Sequence, residues 1–282
     1  MDRDEQPAKK CVISAKAGGL FEMIRERWCK SALTSSKLPG IDYSLNPYVG
    51  CAHGCIYCYV PSTLHISREE WNKAVYAKVN IPAVLRKELK IKRKGIVGIS
   101  TSTDAYQTAE KNYEITRKCL MLLLKHDWPI DILTKSDLIV RDINIIKKFS
   151  DVKVGFTITT LNDESRKILE PYAPSIEKRI EALKKFADNG VYTYAFLGPL
   201  YPEIEENEID EWVDLFNDMG VNEIIIDNFH LKGDVWENMC KVLSKEKKKL
   251  YEKRISGNYY EKIYSEFKKK ADGKIVVSRA FV

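Results

Sequence analysis

Three cysteines, Cys51, Cys55 and Cys58, fall within one short run, Asn46-Pro47-Tyr48-Val49-Gly50-Cys51-Ala52-His53-Gly54-Cys55-Ile56-Tyr57-Cys58-Tyr59. Thiolates bind soft or borderline metals and iron-sulfur clusters, and a C-x3-C-x2-C spacing can point all three at one object if the chain turns tightly. Gly50 and Gly54 permit such a turn. Three ligands are one short of the four that close a structural zinc site or an electron-carrying cube, so a metal position is left over for chemistry. A zinc knot completed by His53, His65 or Cys29 is the alternative, although neither histidine has the paired spacing of such knots. His53, between two ligands, is expected to hydrogen-bond beside the site, and Cys29 to pack as a small apolar residue.

The spacing, with an aromatic before the last cysteine, resembles the radical S-adenosylmethionine superfamily. The wider frame, Asp42 to Tyr48 followed by Gly50-Cys51 and His53 to Tyr59, is similar to its spore photoproduct lyase-like branch, with Val49 standing where that branch often has arginine. The resemblance implies that the three thiolates hold three irons of a [4Fe-4S] cluster and that the fourth iron binds the amino and carboxylate groups of S-adenosylmethionine. It further implies an external one-electron reductant of ferredoxin or flavodoxin type. Cleavage of the cofactor then gives a 5'-deoxyadenosyl radical that takes hydrogen from a substrate the motif does not name.

Such a cofactor needs an acceptor for its ammonium, a cation for its carboxylate, donors for its ribose and an apolar slot for adenine. In the family, the segment after the second barrel strand binds the amino group. The matching stretch is Ser100, Thr101, Ser102, Thr103 and Asp104, although the branch usually carries prolines near Ala105 and Thr108. Lys135-Ser136-Asp137-Leu138, followed by Arg141-Asp142, also matches the branch and makes Lys135 and Ser136 candidates for ribose or carboxylate contacts. Thr157 and Thr159 share one strand face by period-two alternation and can both point inward. Glu170-Pro171, Pro174 and Arg179 resemble the branch as well; Arg179 either reaches the cofactor carboxylate or pairs at the surface with Glu177 or Glu181. Tyr57 either edges the adenine or packs in the core. The branch's lyase repairs a thymine dimer with a cysteine hydrogen donor. Here the candidates for such a donor are Cys119 and Cys240, both in helix-like segments with apolar neighbours, so DNA repair is not predicted.

The elements that must position these residues alternate. Strands are expected at Gly95–Ser100, Ile130–Thr134, Val152–Thr159, Thr193–Leu197 and Glu223–Asn228. Helices are expected at 65–76, 82–90, 109–125, 143–149, 164–169, 176–189, 209–219 and 236–251, with a helix-like run at 21–29. Alternation with right-handed crossovers predicts an α/β fold, a partial (βα)6 TIM-like barrel whose working residues lie at the C-terminal ends of its strands. The polar stretches Ser100–Gln107, Thr134–Asp137, Thr157–Thr160, Gly198–Pro202 and Asp227–His230 would form that rim. Residues 1–40 read as a lead-in, 41–235 as the core, and 236–282 as an extension packed on the barrel that ends in a strand near Lys274–Ser278.

Composition sets broad bounds. The 282 residues are 44% hydrophobic, enough for one sizeable core. The net charge of +6, from 46 basic and 40 acidic residues, is mild and spread out, so it supports nucleic-acid binding only weakly. The lysine-rich tail with Tyr251, Tyr259, Tyr260 and Tyr264 could stack on single strands, but it also describes an ordinary helix pair. Charged residues reach 30% and glutamine occurs only as Gln6 and Gln107, a thermophile-like signature. No apolar run approaches the ~18 residues of a membrane span, and Met1–Lys10 lacks a signal-peptide core, so a cytoplasmic protein with reduced thiols is expected. The competing readings are a nucleic-acid-acting lyase and an iron-sulfur electron-transfer protein that does not cleave the cofactor.

Overall fold

The structure, a computed structural model, describes residues 11–15 and 21–280. Twelve strands occur among them: β1 (Cys11–Ala15), β2 (Phe21–Arg27), β3 (Thr34–Ser35), β4 (Tyr43–Leu45), β5 (Tyr48–Val49), β6 (Ala74–Lys78), β7 (Val97–Ile99), β8 (Ile130–Thr134), β9 (Val152–Thr157), β10 (Tyr192–Leu197), β11 (Glu223–Ile226) and β12 (Val276–Arg279). Eight of these form the main sheet in the order β12-β11-β10-β9-β8-β7-β4-β3. Every neighbouring pair runs parallel except β3 with β4. The sheet stays open at both edges, so this is an α/β partial barrel and not a closed one.

Alternation sorts each strand's residues between two sides. Ile130 and Ile132 of β8, Val154 and Phe156 of β9, Ala195 and Leu197 of β10, and Ile224 and Ile226 of β11 are buried in the core. They face helices such as Ile176–Asp188, whose Phe186 ring lies 6.1 Å from that of Phe156. Asp131, Leu133, Thr157, Tyr194, Phe196 and Ile225 come from the other side and line a cavity.

A second sheet, in the order β1-β2-β6-β5, lies outside the expected scheme. The helix-like run at 21–29 is a strand, because pairing with β1 and β6 gives it a ladder that outweighs local propensity. The helix expected at 65–76 is confined to Arg68–Lys73, capped by the Ser67 hydroxyl accepting from Glu70 N at 3.1 Å; its expected end is β6. The helix expected at 109–125 divides at Glu114, whose φ is +49°. That expected at 236–251 divides at Ser244, which caps the helix Lys245–Ser256. Strand β12, near the chain's end, pairs with β11 and completes the main sheet. Among the described residues no helix is long and apolar enough to cross a membrane.

Candidate active site

The run between β5 and β6 has little secondary structure of its own. Gly50 (φ +83°) and Gly54 (φ +60°) take the left-handed turns that glycine allows, and a Cβ on Gly50 would come within 2.4 Å of Ala74 O. The run brings Cys51, Cys55 and Cys58 to one cavity of about 410 Å³, which Tyr57, Ser100 to Asp104, Lys135 and Thr157 also line.

The segment after β7 is stitched to the start of the cysteine run. Asn46 Nδ2 donates to Thr101 Oγ1 (2.8 Å), Ser102 N to Asn46 Oδ1 (3.0 Å), and Thr103 Oγ1 to Tyr48 O (3.3 Å). Ser100 adopts a φ of +73°, uncommon away from glycine, and its hydroxyl accepts from Ala105 N at 2.8 Å. These bonds shape a loop that lacks the branch's prolines. Asp104 is the most heavily bonded residue of the segment. Its carboxylate accepts from Thr134 Oγ1 (2.8 and 2.9 Å), Lys135 N (2.8 Å) and Tyr106 N (2.8 Å), with His53 Nδ1 at 3.5 Å.

Electrostatics in this wall are dominated by burial. It pushes the Cys51 thiol up to about 12 and raises those of Cys55 and Cys58, with Lys135 pulling the other way at Cys55. It pushes His53 down to about 4, against the pull of Asp104. Burial also works against the Lys135 ammonium, but Cys55 and Glu170 outweigh it and hold that pKa above the usual lysine range. Burial opposes the charge of Glu170 too, yet Arg179 and Lys135 prevail and keep its carboxyl below the usual range.

The opposite wall is formed by β10, β11 and β12. Tyr194 OH donates to Asp131 (2.7 Å), and its ring fills the space over Gly155, where a Cβ would come within 2.1 Å of it. Asp227 accepts from or faces His230 Nε2 at 2.9 Å, and the His230 ring meets Tyr59 edge-on at 5.5 Å. Arg279 lines the cavity with its guanidinium over Tyr264 (4.1 Å) and paired with Glu261 (2.5 Å).

Several expected site residues lie elsewhere. Strand β9 stops at Thr157, so Thr159 does not share its face; its hydroxyl donates to Glu170 at 3.3 Å. Arg179 is fully buried and reaches neither the cavity nor the surface, because Glu170, Thr157 O and Pro174 O take its donors. Ser136 caps the turn after β8 by accepting from Leu138 N at 3.3 Å. Cys119 is buried inside the helix Ile115–Lys125 and Cys240 sits in the helix Val235–Val242, and neither lines the cavity. Cys29 is tied by its backbone to Asn80 (2.8 and 2.9 Å), and His65 is exposed. Of the residues that would complete a zinc knot, His53 turns its Nδ1 toward Asp104, while Cys29 and His65 do not line the cavity.

Sequence reasoning missed Asp131 and Tyr194, which face inward from mid-strand, and the β12 residues Ser278 and Arg279. A carboxylate within the otherwise apolar Ile130–Leu133 was the available signal for the first.

The donor set fits an iron-sulfur cluster beside a zwitterionic cofactor. Three thiols line one space, and a carboxylate and an ammonium stand next to them, the donor types that thiolate-held iron and a zwitterion need.

Comparison with known proteins gives the same direction. Residues 45–216 match the Radical SAM superfamily. An uncharacterized protein of Methanocaldococcus jannaschii is 37% identical over 180 residues, covering 64% of this chain and 68% of that protein. An uncharacterized protein of Mycobacterium tuberculosis is 27% identical over 220 residues, 73% of this chain and 64% of its own length. Spore photoproduct lyase, solved with bound AdoMet and dinucleoside spore photoproduct, superposes with a TM-score of 0.66 at 14% identity, over 91% of this chain and 81% of that one. At that identity the likeness is one of fold.

Proposed function

The chain belongs to the radical SAM superfamily, enzymes that work with a [4Fe-4S] cluster and S-adenosylmethionine, and we propose that Cys51, Cys55 and Cys58 are its cluster ligands. Held by these thiols and reduced by an external one-electron donor of ferredoxin or flavodoxin class, the cluster would supply the electron for reductive cleavage of S-adenosylmethionine and so the means of taking a hydrogen atom from a substrate. The observation that carries this reading is the meeting of the three thiols, Asp104 and Lys135 in one cavity.

The surrounding residues bind and orient. Asp104, locked by Thr134, Tyr106 N and Lys135 N, is the counterion for the cofactor's ammonium, and Lys135 pairs with its carboxylate. Ser100, Thr101, Ser102, Thr103 and Thr157 offer hydroxyls to the ribose. Tyr57 packs edge-on against Tyr201 and Phe229 and closes the apolar side of the pocket. Water is kept out by the stacked rings of Tyr201 and Phe229 behind it. We assign residues 41–235 as the catalytic core, with the flanking segments completing its sheets, and place the enzyme in the reducing cytoplasm, which suits unpaired thiols.

The test is anaerobic reconstitution with iron and sulfide, followed by dithionite and S-adenosylmethionine. 5'-Deoxyadenosine is expected by chromatography; its absence from protein shown spectroscopically to carry an intact cluster would overturn the reading in favour of simple electron transfer. Against a lyase that uses a cysteine hydrogen donor stands the cavity itself: among the described residues the three ligand thiols are the only cysteines lining it.

A further inference from the structure

We infer that Gln107 and Glu170 are positioning residues for the cysteine run, two buried side chains that set where its thiolates stand. The inference rests on the assignment of Cys51, Cys55 and Cys58 as cluster ligands. A loop whose own backbone supplies one internal bond, Cys58 N to Cys55 O at 3.1 Å, cannot define three sulfur positions by itself. Its geometry has to come from partners outside it: Arg68 Nη2 donates to Cys58 O at 2.6 Å, and two further sets hold the stretch from Gly50 to Tyr57.

At the Cys51 end the partner is Gln107. Its Oε1 accepts from Ala52 N at 2.9 Å and its Nε2 donates to Gly50 O at 3.1 Å, so one planar amide grips the backbone on both sides of Cys51. Only an amide both donates and accepts at this reach, and Gln107 is fully buried. It stands three residues after Asp104, on the same turn-rich segment. One short piece of chain therefore fixes both the first thiolate and the carboxylate beside it.

At the Cys55–Cys58 end the partner is the segment 169–172. Ile56 N donates to Leu169 O (2.8 Å), and Tyr172 N donates to His53 O (3.3 Å). The Tyr172 ring lies so close to Gly54 that a Cβ there would come within 2.8 Å of it. Tyr57 OH donates to Glu170, whose carboxylate is held in turn by Arg179 and Thr159. Both Glu170 and Arg179 are fully buried. A buried ion pair is a weak source of net stability but a rigid one, because neither charge can leave its partner without a large desolvation cost. Tyr57, flanked by two ligands, is thereby pinned in depth and rotation. In such a frame the Glu170–Arg179 pair positions Cys55 and Cys58 and does not meet the cofactor.

The test uses reconstituted full-length protein and reads the cluster directly. Gln107→Met keeps the volume and removes both bonds; Gln107→Glu keeps the acceptor and loses the donor; Tyr57→Phe removes only the hydroxyl that reaches Glu170. Each is measured for iron and sulfide per chain, for the rate of iron loss to a chelator, and for the electron paramagnetic resonance spectrum of the reduced cluster with and without S-adenosylmethionine. Gln107→Met and Tyr57→Phe are expected to lose iron at least roughly tenfold faster and to broaden the spectrum, with Gln107→Glu in between, an effect on the order of one lost hydrogen bond. Far-ultraviolet circular dichroism of the same samples reports whether each variant is folded. Folded variants with wild-type chelation rates and spectra would overturn the inference. Cys51→Ala, run in parallel, separates that result from failure of the ligand assignment: a cluster that survives it sinks the assignment itself.

Discussion

The two walls of the cavity are built on different plans. On the cysteine wall the polar groups are tied to one another in the interior: Asp104, Gln107, Glu170 and Arg179 are all buried, and each is held by partners on other elements. On the β10–β12 wall the buried Tyr194 hydroxyl is tied to Asp131, but other polar groups are tied outward. Arg279 pairs with Glu261 at the surface, and His230, a third exposed, pairs with Asp227 three residues before it. Generating a radical is the same chemistry whatever the substrate, and it demands fixed geometry supported from behind. The two walls therefore differ in how firmly their polar groups are held from behind.

The largest expected contrast is chemical. Replacing Cys51, Cys55 or Cys58 by alanine is expected to leave no 5'-deoxyadenosine detectable by chromatography, whereas Arg279→Met on the far wall leaves substrate-independent cleavage in place. If Arg279→Met also abolishes it, the division between the walls is wrong. Next in size is stability. Arg179→Met leaves Glu170 buried without its paired guanidinium, with Lys135 the remaining cation, and is expected to cost about 3–5 kcal/mol in a denaturant melt. Glu261→Gln breaks the exposed Arg279 pair and is expected to leave the midpoint unchanged. Equal shifts for the two would show that the apparent difference in support is not energetic. Smaller again is the effect on cofactor affinity: Asp104→Asn removes the counterion but keeps the acceptor for Lys135 N, so calorimetry on reconstituted protein should show S-adenosylmethionine bound roughly 10- to 100-fold more weakly. His230→Gln should leave that affinity alone.

How much of this was legible in the sequence also divides by wall. Cys51, Cys55 and Cys58 stand out by their spacing alone, and the Ser100–Asp104 segment and Lys135 by likeness to the family's pattern; all of them line the one cavity. The strands bearing them were found by their apolar runs. Arg179 was misjudged because a helix-borne arginine beside Glu177 and Glu181 looks superficial, and only the fold reveals that Glu170 waits for it inside. The second sheet was missed because β2 and β6 are specified by pairing across about fifty residues, a signal no local window contains. Gln107 gave one hint, its rarity, with nothing to say what it touches. The β12 contribution was seen as a strand but not as part of the cavity, since register with β11 decides which of its side chains face inward.

Asp131 supplies the finest test, because its carboxylate, on β8, accepts from the buried Tyr194 of the far wall. Burial pushes its carboxyl up to about 6 from an ordinary value of 3.8, with Glu223 and Asp151 pushing the same way and the Tyr194 hydroxyl and Lys153 pulling it down. A carboxyl whose folded pKa is raised favours the protonated form in the native state. Its contribution to stability is therefore complete below the unfolded pKa near 3.8 and is lost as pH rises through about 6. Asp131→Asn mimics the protonated carboxyl at every pH and can still accept from Tyr194. The variant should melt close to the wild type at pH 4 and above it at pH 7.5, by on the order of 2 kcal/mol once water access to the cavity is allowed for. A difference between the two melts that is flat across this range would mean that Asp131 is solvated through the cavity, and the enclosed polar part of the far wall would shrink to Tyr194 alone.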